Sequence, residues 1–364
     1  MSIKKIGIIG LGLIGGSIAK TIRFKKLPIH IIACDTNSAN LKRAQNEGII
    51  NEYTMDVNES FESLDIIFLC APVQNNNKLL AKIKSNISST CILTDVGSVK
   101  GMIHRAITDI GLENNFIGGH PMAGSEKSGY QAANEHLFEN AYYVLTPCSA
   151  ASKTKVSLLY DFIESLGAIP LTLDSNNHDY ATAAISHIPH IIASSLVNLV
   201  KDIDKNDLMK QLAAGGFKDI TRIASSSPNM WKQISLCNKD KIQEILEKYI
   251  DIIFDFKQKL LDDNEAEIYN FFANANEYRS TFSDPSLGLI KKSYEVMVDI
   301  PDEPGVIAKI ATILSGNNIN IKNIGIIHNR EFEEGVLKII FYDEESQANS
   351  IKTLKTLNYT IYTR

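Results

Sequence analysis

The segment from Lys5 to Gly15 constrains this chain more than any other. Lys5-Ile6-Gly7-Ile8-Ile9 reads as a short apolar strand, and Gly10-Leu11-Gly12-Leu13-Ile14-Gly15 turns it into a helix that begins near residues 16–19. Each glycine has a physical use there. Gly10 permits a tight turn, Gly12 lets a pyrophosphate approach the backbone, and Gly15 lets helix and strand pack closely. The helix N-terminus adds amides and positive dipole. A second strand over residues 29–34 ends at Asp35, 20 residues past the last glycine, where a carboxylate accepts from adenosine ribose hydroxyls. That charge repels a 2′-phosphate, and Thr36-Asn37-Ser38 offers no arginine, so the pattern favours NAD over NADP. The competing reading, Asp35 as the cap of a helix over residues 40–45, stays open. Strands at residues 65–70 and 91–94 lead into Ala71-Pro72 and Asp95-Val96-Gly97-Ser98. In a doubly wound sheet such strand ends border the ligand cleft. Cofactor contacts are therefore expected from Gly10, Leu11, Gly12, Leu13, Ile14, Gly15, Asp35, Ala71 and Pro72.

A length of 364 residues exceeds one comfortable core, and two or three domains are expected. The net charge of −5 supplies no basic field for a phosphate backbone, which argues against nucleic acid as a partner. No apolar run is read as long enough for a membrane span, and the N-terminus carries no cleavable signal pattern. Cys34, Cys70, Cys91, Cys148 and Cys237 are scattered without a CxxC pair. This suggests reduced thiols, a cytoplasmic protein and no cysteine-based metal site.

Residues 118–129, Gly-Gly-His-Pro-Met-Ala-Gly-Ser-Glu-Lys-Ser-Gly, set His120 in a turn-rich stretch downstream of the glycine loop. A neutral imidazole there can accept a hydroxyl proton, while Ser98 can orient either the imidazole or an alcohol. The plainer alternatives are a loop histidine bonded to backbone and a serine that caps a helix. Ser186-His187-Ile188-Pro189-His190 lies in a helical pattern from about residue 179 to 200, with the two imidazoles on one face if the turn survives Pro189. No third ligand has a recognisable spacing, so no metal is expected. Contact of His190 with a polar substrate competes with a purely structural pair. Gly215-Gly216 exposes amides, Arg222 presents a fork suited to a carboxylate, and Trp231 can wall a flat ring. Pairing of Arg222 with Asp219 and a core role for Trp231 remain the alternatives.

In order along the chain, the glycine loop, Gly97-Ser98-Val99-Lys100-Gly101, the His120 segment, residues 186–190 and Gly215 to Arg222 resemble the prephenate and arogenate dehydrogenases over roughly residues 5–285. The resemblance implies that His120 engages a ring hydroxyl, Ser98 assists it, and Arg222 binds a substrate carboxylate. It also places Ser186, His190, Gly215 and Trp231 around the substrate and Glu126 at the pocket mouth. The implied reaction passes hydride to NAD+ from the hydroxyl-bearing carbon of prephenate and releases the ring carboxylate as CO2, giving 4-hydroxyphenylpyruvate. Arogenate dehydrogenase runs the same chemistry on an amino-bearing substrate. A non-catalytic sensor that binds amino acid and nucleotide is the rival from another class.

The expected architecture is α/β: a Rossmann-like doubly wound domain over 1–172, an all-helical substrate and dimerisation domain over 173–285, a linker over 286–292 and a ferredoxin-like βαββαβ domain over 293–364. In the last, Asp302-Glu303-Pro304-Gly305-Val306 and Asn317-Asn318-Ile319 resemble an ACT module. The resemblance implies an amino-acid effector at Asp302, Pro304, Gly305, Val306, Asn317, Asn318 and Ile319, with L-tyrosine as the economical choice, and a homodimer.

Overall fold

The computed structural model describes residues 3–71, 73–124, 127–282, 294–301, 303–327 and 335–362. Pro72, Glu126, Asp302 and the expected linker at 286–292 lie outside the described residues. The chain forms two compact units, Met1–Phe254 and Asp255–Arg364.

In the first unit β1 (Lys5–Ile9), β2 (His30–Cys34), β3 (Glu52–Thr54), β4 (Ile66–Leu69) and β5 (Ile92–Asp95) form a parallel sheet in the order β3-β2-β1-β4-β5. A second sheet orders β6 (Ile117–Pro121), β7 (Tyr142–Pro147) and β8 (Ile169–Thr172) one after the other, and a bridge from Leu93 to Phe116 brings β6 beside β5. Side chains alternate across a strand, so a sheet buried on both faces needs apolar residues at every position. β4 obeys this: Ile66 and Phe68 pack with Ile18 and Ile22 of α1 (Leu13–Phe24) and with Phe162 of α5 (Lys153–Ser165). Ile67 and Leu69 face the other way, onto Leu80 of α3 (Val73–Lys84) and Ile103 of α4 (Gly101–Ile110). α2 (Ser38–Asn46) adds Leu41 and Ala44 to the α1 side. This is the Rossmann-like doubly wound layer expected from the sequence.

Beyond β8 the unit is helical: α6 (Ser175–Thr182), a π turn at Ala183–His187, α7 (Ile188–Ile203), α8 (Leu208–Leu212), α9 (Gly215–Thr221) and α10 (Pro228–Cys237). α11 (Lys239–Leu261) passes from the first unit into the second. Pro189 sits in the first turn of α7, directly after the π turn, and the helical run continues through it. One expectation needs correction here. Ser175–Ile203 is 29 residues of continuous helix whose most apolar 18-residue window has a mean hydropathy of 1.4, long and apolar enough to cross a membrane by length and composition. The polar pairs His178-Asp179 and His187-His190 divide this run into short pieces on the page, whereas the fold joins them. Only 22% of its most apolar window is buried, and Leu199 (54% exposed), Leu212 (70%) and Leu236 (67%) point outward nearby in the chain.

The second unit adds α12 (Glu265–Thr281), β9 (Tyr294–Ile300), α13 (Val306–Gly316), β10 (Ile321–Ile327), β11 (Gly335–Phe341), α14 (Glu344–Thr356) and β12 (Ile361–Tyr362). Its four strands pair antiparallel in the order β10-β11-β9-β12, as a ferredoxin-like βαββαβ unit requires. Val296, Val298 and Ile300 alternate inward against Ile310, Leu314 and Leu354.

Candidate active site

The glycine loop has the geometry its sequence implies. Gly10 adopts φ +99°, and a Cβ on Gly15 would stand 2.1 Å from the Gly10 carbonyl oxygen. A Cβ on Gly12 would meet nothing within 4 Å, so the loop opens to space on the side a phosphate would take. Gly12 caps α1 without a side-chain hydrogen bond, leaving the first-turn amides of Leu13 and Ile14 to a ligand. Asp35 Oδ2 accepts from the Leu11 N–H at 2.6 Å and Oδ1 from the Asn37 N–H at 2.8 Å. The cap of α2 is Asn37, whose side chain accepts from the amides of Ala39 and Asn40. Asp35 thus buttresses the loop at the end of β2 instead of capping the helix.

A cleft of about 410 Å³ opens at the ends of β4 and β5, with Ala71 and Ser98 on one wall and Met230, Gln233 and Ile234 of α10 on the other. Ser98 does not cap α4. The amides of Lys100 and Gly101 instead donate to the two carboxylate oxygens of Asp179, each at 2.7 Å, from 79 and 78 residues away. The Lys100 side chain is wholly buried and donates to Asp95 Oδ2 at 2.5 Å and to the Gly119 carbonyl at 2.6 Å. Asp95 also accepts from the amides of Gly97 and Gly119. One buried ion pair therefore ties the end of β5 to the strand that carries His120.

His120 is half-buried near the end of β6. Its Nδ1 lies 2.8 Å from His178 Nε2, and His178 Nδ1 lies 2.8 Å from Asp179 Oδ1. Burial holds the pKa of His120 well below the ordinary imidazole value, and repulsion between its charged form and His178, Lys100 and His187 pushes the same way. It is a neutral base at neutral pH. Burial raises the Asp179 carboxyl, but hydrogen bonds from His178 and the amides of Lys100 and Gly101 outweigh it, and the net shift is downward. Sequence reasoning missed His178, Asp179 and Lys100. The adjacent His-Asp pair was visible, but no spacing links it to a histidine 58 residues upstream.

His187 and His190 part company in the fold. His187 is buried, with its Nδ1 3.2 Å from Asn238 Nδ2, while His190 stacks on Trp231 with ring centroids 3.7 Å apart. His190 Nδ1 donates to the Ser186 carbonyl oxygen at 2.9 Å. The Trp231 Nε1–H is buried without an acceptor among the described residues. Gly215 opens α9, and Arg222, exposed, begins the short 3-10 turn Arg222–Ser225; both elements pack on α7, the helix that carries His190.

Burial also pushes His187 down to about 4. An unfolded histidine titrates near 6.5, so between these values the unfolded chain takes up a proton that the native fold refuses. Stability present above pH 6.5 is therefore lost as the pH falls toward 4. At pH 5 the loss from His187 is about 2 kcal/mol, and His120 acts in the same direction. Urea midpoints at pH 7 and pH 5 check this, and equal midpoints would contradict the buried neutral form.

Residues 18–170 match the family model "Prephenate dehydrogenase, nucleotide-binding domain", and residues 174–274 match "Prephenate dehydrogenase, dimerization domain". The chain is 38% identical over 341 residues to prephenate dehydrogenase of Bacillus subtilis, covering 93% of this chain and 92% of that one. The chain belongs to the prephenate dehydrogenase family. As a member it is an NAD-dependent dehydrogenase. The solved prephenate dehydrogenase of A. aeolicus in complex with hydroxyphenyl propionate and NAD+ superposes with a TM-score of 0.72 at 32% identity, over 78% of this chain and 99% of that one. Synechocystis arogenate dehydrogenase gives 0.70 at 30% identity, over 76% and 99%. Prephenate dehydrogenases thus share with this chain both the doubly wound layer and the helices that follow it.

Proposed function

We propose that this chain oxidises prephenate with NAD+ and releases CO2 to give 4-hydroxyphenylpyruvate. The observation that carries the reading is His120, a neutral imidazole on a strand that Lys100 ties to the end of β5, where Gly97 and Ser98 line a cleft whose other wall is α10. The open face at Gly12, the uncapped start of α1 and Asp35 at the end of β2 fit a dinucleotide. Gly10, Leu11, Gly12, Leu13, Ile14, Gly15, Asp35 and Ala71 hold it. When bound, NAD+ supplies the hydride acceptor.

The remaining work falls to the chain's own residues. His120 accepts the proton of the ring hydroxyl as its carbon is oxidised. Loss of the ring carboxylate as CO2 makes the ring aromatic, and His120 returns the proton to the phenolate oxygen. Ser98 on the cleft wall orients that hydroxyl. Arg222 supplies the guanidinium for a carboxylate, and the Trp231 face, held by the His190 stack, lies against the ring. Trp231 Nε1–H has no acceptor among the described residues, which leaves it a donor for a substrate oxygen that reaches its buried position. Ser186 and Gly215 border the same region. These groups act by position and charge complementarity.

The test is absorbance in the NADH band with prephenate, with arogenate in parallel. Reduction with prephenate supports the reading, reduction with arogenate alone changes the substrate, and silence with both despite NAD+ binding favours a sensor.

The outward apolar helices of the first unit, in the stretch matching a dimerization domain, support a homodimer in which a second copy covers them. The charge, the unpaired cysteines and a biosynthetic reaction support a cytoplasmic setting. We infer that the second unit's βαββαβ sheet is an ACT module that senses L-tyrosine. Its first turn carries Pro304, Gly305 at φ +91° and Val306, and the turn after α13 carries Asn317, Asn318 at φ +59° and the buried Ile319. Deleting residues 293–364 is expected to weaken inhibition by tyrosine in the same assay. An unchanged response would move the inhibitor to the active site.

A further inference from the structure

The geometry points to His178 and Asp179 as a relay that fixes the tautomer of His120 and shares the proton it takes up. The inference deepens the proposed function, because it rests on His120 as the base.

Asp179 Oδ1 accepts from the Lys100 amide as well as facing His178 Nδ1, and Oδ2 accepts from the Gly101 amide. A carboxylate so surrounded by donors is ionised and can only accept. The hydrogen between Asp179 and His178 therefore belongs to His178 Nδ1. A neutral His178 then presents a bare lone pair at Nε2, so the hydrogen shared with His120 belongs to His120 Nδ1. That leaves His120 Nε2 without a proton, the form a general base needs.

The supports are fixed from several sides. His178 is 1% exposed, so water cannot substitute for its partners. Asp174 caps the start of α6, Thr182 Oγ1 donates to the His178 carbonyl, and Asn238 Nδ2 donates to the Asp179 carbonyl at 2.8 Å. When His120 gains the substrate proton at Nε2, its Nδ1 proton can pass to His178 Nε2. Positive charge then rests between His120 and the Asp179 carboxylate. Reversal of both transfers restores the phenolic hydroxyl, and no proton is gained or lost over the cycle. His178 and Asp179 are positioning residues, since neither touches the reacting atoms.

The test uses the full chain with NAD+ bound, 15N-labelled at histidine, comparing wild type with His178→Gln and His178→Phe. Nitrogen shifts report which ring atom carries the proton. Wild type should show the Nδ1–H form of His120. The glutamine keeps an acceptor and should keep that tautomer, with kcat down about 10-fold because it cannot take the proton. Phenylalanine should lose the tautomer, with kcat down on the order of 10²-fold and KM for prephenate nearly constant in both variants. An Nε2–H form in wild type, or an unchanged tautomer and kcat in His178→Phe, overturns the relay. Should the phenylalanine variant not fold, the wild-type spectrum and the glutamine variant still decide. A wild type that turns over neither prephenate nor arogenate would sink the functional reading, while the tautomer is read without turnover.

Discussion

His120→Asn is expected to lower kcat by roughly 10²–10⁴-fold, the usual scale for loss of a general base, while the KM for prephenate changes little. Asparagine suits the test because its amide can still donate toward His178 Nε2, the contact His120 makes at 2.8 Å. The variant should therefore keep the strand and the buried cluster behind it and lose only the basic nitrogen. Steady-state NADH formation with NAD+ and prephenate measures the effect, with NAD+ affinity as the control for an intact loop. Wild-type turnover would remove His120 from the mechanism and leave it a strand histidine held by His178.

The largest effect on stability is expected at Lys100, far from any solvent. Its Nζ is wholly buried against Asp95, itself 2% exposed. Lys100→Met would leave that carboxylate buried with the amides of Gly97 and Gly119 as its donors among the described residues, and would strip the Gly119 carbonyl of the Lys100 donor. Removing one partner of a buried pair costs about 3–5 kcal/mol, because the other charge stays desolvated. For a unit of this size the corresponding drop in Tm is roughly 6–20 °C. Calorimetry on both chains checks it, and the double variant Lys100→Met with Asp95→Asn should recover part of the loss. A single variant as stable as wild type would mean that Asp95 is neutral in the fold. The pair also bears on chemistry, since Lys100 is among the charges that keep His120 unprotonated.

What could be read from the sequence, and what could not, follows the distance over which each signal acts. The glycine loop, the strand ending at Asp35 and the alternation of β9 are local patterns, and the fold realises them close to where they were read. Ser98 stands out because it follows a strand, and His120 because glycines and a proline flank it, although the fold sets it within β6. The partners of His120 did not, because His178 and Asp179 arrive from the other side of the polypeptide's path. The Asp95–Lys100 contact lies within a stretch that reads as a candidate helix cap, and the cap instead comes from Asp179, 79 residues on from Lys100. The apolar continuity of Ser175–Ile203 was hidden by four polar side chains, three of which are buried. Sequence periodicity registers what a residue does to its own turn of helix, and says little about a side chain that serves a distant backbone.

The same carboxylate has a developmental consequence for the molecule. The strand-rich layer up to β8 contributes the imidazole, and the helical stretch after it contributes both groups behind that imidazole. Without α6 the imidazole would lose the 2.8 Å contact at Nδ1, while the glycine loop, built from β1, β2 and α1, holds none of its contacts through those helices. The base and the groups that orient it are thus divided between the two halves of the unit, and only their docking completes the set.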